Sequence, residues 1–190
     1  VIHIICPECR SAELLEKIRK IDHVKIIRFG TKLPAFNPYR FIDDEELLQV
    51  LQKHSRKDAR IYIVSHFCHT QEITDVALEA INKLRRHDML LVNQTPMLAG
   101  INDNPDTLAA LFTKLAQIGV PPYYVFQCRP TRGNRHFRVS FTDGIDLVEK
   151  AKAQVSGLGK RLRYAGSHAS GKIEILGHDS DNIYFKYPQS

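Results

Sequence analysis

The side chains in this chain that can do chemistry sit where apolar runs give out. They are the imidazole of His66, the amides of Asn93, Gln94 and Gln127, the guanidinium of Arg129, the thiols of Cys6 and Cys9 and the amine of Lys172. Cys6-Pro-Glu-Cys9 is a CxxC, which supplies half of a tetrahedral metal site, and no second CxxC or HxxxH completes it. No metal is assigned to it. Lys172 closes Ser-His-Ala-Ser-Gly-Lys, where Ser170 and Gly171 give a mobile approach to an amine that can attack a carbonyl or simply cap a solvated turn. His66 and Gln94 can each donate to an anion without carrying fixed charge, or can satisfy backbone groups at strand ends. Arg129 opens a basic stretch that runs to Arg138, and Lys160 to Arg163 is a second one. Either could face an anion.

The elements that must position these groups alternate in kind. Strands are expected at Val1–Ile5, Val24–Phe29, Arg60–Ser65, Met89–Val92 and Tyr123–Gln127, as continuous apolar runs. Helices are expected at Ala12–Arg19, Asp44–Lys53 with Asp43 as cap, Thr74–Arg86, from Asn104-Pro105-Asp106 to near Gly119, and Gly144–Ala151. Such alternation with short connections indicates an α/β fold, a parallel sheet covered by helices. An open doubly wound sheet and part of a (β/α) barrel both satisfy it. In either, ligands gather at the C-terminal strand ends, where His66, Asn93, Gln94, Gln127 and Arg129 fall. Beyond Lys152 the rhythm changes to short strands at Arg161–Tyr164, Ile173–Leu176 and Ile183–Tyr187, a small β extension.

Size and charge narrow the partners. The 190 residues, 43% of them hydrophobic, suffice for a sizeable core in one globular body without a linker. The net charge of +6 comes from scattered Lys and Arg, so nucleic acid is disfavoured as a partner, no aromatic platform or RGG repeat being present. No apolar run approaches the roughly 20 residues that span a bilayer, and no basic leader with a cleavage site opens the chain, so no membrane partner is expected. Cysteines placed in or beside strands suit a reduced compartment, and a cytoplasmic protein is the expectation. A homo-oligomer stays open.

Four segments in order, SHFCHTQEIT, NQTPMLAGINDNPDTL, PPYYVFQCRPTRGNRHFR and SGLGKRLRYAGSHASGK, resemble lysine 2,3-aminomutases, and HVKIIRFGTKLPAFNPYRF supports the match upstream. The resemblance runs from about Val24 to about Ile175. It implies a radical S-adenosylmethionine (SAM) enzyme with a [4Fe-4S] cluster and pyridoxal phosphate (PLP), an isomerase that moves an amino group to the neighbouring carbon of a small amino acid. It further implies a partial (β/α) barrel of the radical-SAM type in residues 1–152, and in 153–190 the start of a C-terminal PLP-binding extension. The family's CxxxCxxC is not in these residues, so the cluster ligands are expected upstream and this chain alone is expected to be inactive. IICPECR stands where the family carries a Gly-Gly-Asp contact to SAM.

By the same resemblance His66 lies against the SAM methionyl group, Gln94, in Asn93-Gln94, bonds its carboxylate, and Lys172 is the lysine that anchors PLP. One feature departs from lysine-specific members, which carry an Asp after the Gln-Cys and another shortly before the PLP lysine. Arg129 takes the first place, and Ala165 or Gly166 the second. That exchange suits a substrate carboxylate received by Arg129, hence an acidic amino acid rather than lysine. A different class of function keeps the fold without the chemistry: a β/α protein binding an anionic small molecule or RNA through Arg129, Arg132, Arg135 and Arg138.

Overall fold

The computed structural model describes residues 2–4, 11–169 and 171–187. Cys6, Cys9 and Ser170 lie outside the described residues. The chain divides into two compact units, Val1–Phe67 with Gln71–Val92 and Cys68–Thr70 with Asn93–Ser190. Among the described residues no helix is long and apolar enough to cross a membrane.

In the first unit three parallel strands, β1 (Ile2–Ile4), β2 (Ile27–Thr31) and β3 (Ile61–Ser65), pair in the register Ile2↔Ile27 and Ile27↔Ile61. Helices α1 (Ser11–Arg19), α2 (Leu33–Phe36), α3 (Tyr39–Ile42), α4 (Glu45–His54) and α5 (Asp75–Arg86) accompany them. Helix α5 forms on the apolar stripe read from its sequence, burying Ala77, Ala80, Ile81 and Leu84, and its Thr74 cap accepts from Ala77 N at 3.2 Å. Each buried Leu or Ile there is worth about 1.5–3 kcal/mol. Asp44, not Asp43, caps α4, accepting from Leu47 N at 2.8 Å. Asp43 instead ends α3, because Pro38 starts a helical turn through Ile42 that the Pro-rich sequence did not suggest. The strand expected from Val24 starts at Ile27, since Val24 N closes a turn onto Ile21 O at 3.0 Å.

The second unit takes over the end of β4 (Leu90–Pro96) and adds β5 (Pro122–Phe126) and β6 (Arg163–His168), all parallel. Two antiparallel strands follow, β7 (Gly171–His178) and β8 (Ile183–Lys186), whereas β6, the first strand expected in the β extension, instead continues the parallel sheet beside β5. Helix α6 (Pro105–Gln117) joins β4 to β5, and α7 (Phe141–Ala153) leads from β5 to β6. Asn104 caps α6 through Asp106 N and Thr107 N. Helix α7 starts three residues before the expected Gly144, because Ser140 caps it by accepting from Asp143 N at 3.0 Å. Met97, Leu108, Phe112, Val125, Ile145, Val148, Tyr164 and Ile175 form the core. These strands are not evenly apolar. In β4 every second residue from Leu91 is buried, so only one sheet face is packed and the other is left for polar and aromatic groups.

Candidate functional site

Period-two alternation decides which side chains share the unpacked face. Tyr164 and Val125 point into the core, so their neighbours Arg163, Ala165, Tyr124 and Phe126 take the other side. The registers Gln94↔Tyr124↔Arg163 and Phe126↔Ala165↔Glu174 carry Gln94 and Glu174 onto the same face, and Ser167↔Lys172 brings the lysine there. Gly171, at φ 122, opens β7 in a conformation that L residues avoid, so the tight β6–β7 turn depends on it.

Lys172 is exposed, with Nζ 4.5 Å from the ring centroid of Tyr124 and 4.7 Å from that of Phe126. The two rings stack at 5.1 Å with 22° between planes. An ammonium over two such faces gains cation–π attraction. Burial, and then the neighbouring Tyr123, push the Tyr124 phenol above its ordinary value, opposed by the Arg163 guanidinium. Arg163 Nε lies 3.9 Å from the Glu174 carboxylate. In the sequence Glu174 is inconspicuous because it follows Lys172 rather than preceding it. The alternation Lys172-Ile173-Glu174-Ile175 was the available sign, since it puts Glu174 on the lysine's face two residues later.

No family model matches the chain. Over 185 residues it is 45% identical to an Aquifex aeolicus protein named "Putative L-lysine 2,3-aminomutase", covering 97% of this chain and 50% of that relative. It is 35% identical over 164 residues to the L-lysine 2,3-aminomutase of Methanococcus maripaludis and 34% identical over 145 residues to the glutamate 2,3-aminomutase of Clostridioides difficile. Those matches cover 86% and 76% of this chain, and 36% and 33% of the relatives. The chain belongs to the lysine 2,3-aminomutase-like family. It spans half the length of the Aquifex relative and about a third of the other two.

Of the residues singled out from sequence, Lys172 and Gln94 share the unpacked face, and Asn93 does not. Asn93 is fully buried on the opposite side, where its Nδ2 donates to Thr95 Oγ1 at 2.9 Å. Both amides lie inside β4 rather than at its end, the strand running on to Pro96. Gln127 braces the backbone: its Nε2 donates to Val139 O at 2.7 Å and its Oε1 accepts from the Tyr164 hydroxyl. Burial drives the Tyr164 phenol far above its usual value, so it stays a neutral donor. Arg129 is exposed in the loop after β5, where Asn134 holds the turn by donating to Arg129 O at 2.8 Å.

In the first unit His66 follows the end of β3, and its carbonyl accepts from Lys32 Nζ at 3.3 Å. Lys32 also meets Glu72 at 3.2 Å. Sequence reasoning missed two further groups. Asn102 is fully buried in the second unit, donating to Cys68 O and Pro96 O at 3.0 Å each and accepting from Leu98 N at 2.8 Å. Arg28, on β2, has a buried Nε without a hydrogen-bond partner among the described residues.

The groups around Lys172 fit PLP. An exposed primary amine beside two aromatic faces suits a flat pyridine aldehyde. Among the described residues no three His, Cys, Asp or Glu side chains are grouped to hold a metal ion.

Proposed function

We propose that this chain is the PLP-anchoring part of an amino-acid 2,3-aminomutase-like isomerase that uses radical SAM chemistry. Lys172 carries the proposal: its amine rests on the faces of Tyr124 and Phe126. Residues 1–152 are read as part of the (β/α) barrel of such enzymes and 153–190 as the beginning of the cofactor-binding extension, in which β6 and β7 place the lysine. PLP, when bound, supplies a ring that accepts electrons from the amino group being moved.

The chain's own residues have simpler tasks. Tyr124 and Phe126 hold the Lys172 amine over the sheet and exclude water from one side of it. Gln94 donates from its amide to a carboxylate, and His66 offers an imidazole for the SAM methionyl group. Arg129 receives a carboxylate on the substrate's side chain, which favours glutamate over lysine. Glu174 adds one acid to that face, with Arg163 Nε 3.9 Å from it.

The test uses the full-length protein titrated with PLP and followed by the absorbance of lysine-bound cofactor. Lys172→Ala should abolish the band. An unchanged band would end the assignment of Lys172. Turnover should favour glutamate over lysine, and Arg129→Asp should reverse or flatten that preference. Equal or better use of lysine by the unaltered protein would refute the substrate reading and leave the family untouched.

A further inference from the structure

The Lys172 amine and Arg163 both neighbour Tyr124. Tyr124 carries Lys172 Nζ over its ring at 4.5 Å, and the register of β5 and β6 sets Arg163 beside it on the same face. All three side chains belong to the unpacked face, with Ala165 as the small residue between Arg163 and Ser167 on β6. Glu174 stands 3.9 Å from Arg163 Nε, too far for a hydrogen bond, and the Arg163 side chain is 62% exposed. A guanidinium paired so loosely keeps its donors available to an incoming oxyanion. Its planar fork matches the paired oxygens of a phosphate, which a single distant carboxylate oxygen does not use.

We propose that Arg163 receives the phosphate group of the PLP held at Lys172, exchanging Glu174 for that phosphate as its partner. The inference rests on the reading of Lys172 as the PLP anchor. Glu174 then acts as a resting counter-ion that competes with the ligand. Removing the arginine and removing the acid must therefore have opposite effects.

The experiment titrates the full-length protein with PLP and, separately, with pyridoxal, which has the same aldehyde and no phosphate. Arg163→Gln should raise the Kd for PLP on the order of 10- to 100-fold, as expected for lost hydrogen bonds to a charged group, and leave that for pyridoxal within about twofold. Glu174→Gln should tighten PLP roughly two- to fivefold, the range of an exposed ion pair, with no gain for pyridoxal. Arg163→Lys, which keeps charge but loses the fork, should fall between the unaltered protein and Arg163→Gln. An unchanged PLP Kd in Arg163→Gln, or equal losses for PLP and pyridoxal, overturns the phosphate contact while Lys172 keeps its role. If neither aldehyde produces the lysine-bound band in the unaltered protein, the Lys172 reading fails and this inference fails with it.

Discussion

Gly144→Ala sets two well-known effects against each other at one position. Gly144 lies inside α7, where replacing glycine by alanine gains about 0.5–1 kcal/mol of helix propensity. Against that, a Cβ built at this residue would stand 2.9 Å from Tyr164 Cζ and closer still to the Tyr164 hydroxyl. Tyr164 is 3% exposed in the core and donates to Gln127 Oε1, so it has little room to retreat. Overpacking of this kind costs about 1–3 kcal/mol, and displacing the hydroxyl from Gln127 adds roughly 1 kcal/mol. The clash wins by about 1–3 kcal/mol, and for a chain of this size each kcal/mol lowers Tm by about 2–4 °C. Chemical and thermal denaturation of the full-length protein measure it. The double variant with Tyr164→Phe should lose less than the two single effects added together, because the hydroxyl is the nearest obstacle. A Gly144→Ala protein more stable than the original by the full helix-propensity gain would refute the close packing of Tyr164 on α7.

Asn102→Ala should destabilise by roughly 2–4 kcal/mol, since it strips partners from two carbonyls and one N–H, and Asn102→Asp should be worse at neutral pH because it turns a buried carboxylate toward those carbonyls; denaturant midpoints decide it. Arg28→Met should leave the ligand-free Tm unchanged or raised, since it removes a buried Nε donor that has no partner among the described residues, and a clear drop would show that the guanidinium has a structural role. Asp179, held by Tyr184 and by the amides of Asp181 and Asn182, has its pKa lowered from 3.8 to about 2. A depressed carboxylate stabilises above its unfolded value, so this contribution should fade as pH falls from about 4 toward 2, and Asp179→Asn should flatten that limb of the Tm profile. His178 is shifted the other way by its hydrogen bond to Asp146, so its contribution should be full below about 6.5 and lost as pH rises; a Tm profile of His178→Gln with the original shape around neutrality would contradict this.

Family membership, the α/β alternation and most helices were legible in the chain by itself, because they depend on local signals. The stripe of α5, the Asn104-Pro105 start of α6 and the Gly-Lys at Lys172 each act within a few residues. Caps were less secure: Asp43 and Asp44 are chemically equal, and only the turn started by Pro38, which takes Asp43 as its end, leaves Asp44 to α4. What the tertiary structure alone decided was adjacency. Asn93 and Gln94 are neighbours in sequence but point to opposite faces of β4, so one is a buried brace and the other shares the face of Lys172. Glu174 and Arg163 lie eleven positions apart and face each other only because the antiparallel register of β6 and β7 aligns Ala165 with Glu174. Tyr124 meets Lys172 for the same reason, across two strand pairings. Local propensity is written residue by residue, whereas register depends on where a turn closes and which face the core claims, and those are properties of the folded sheet.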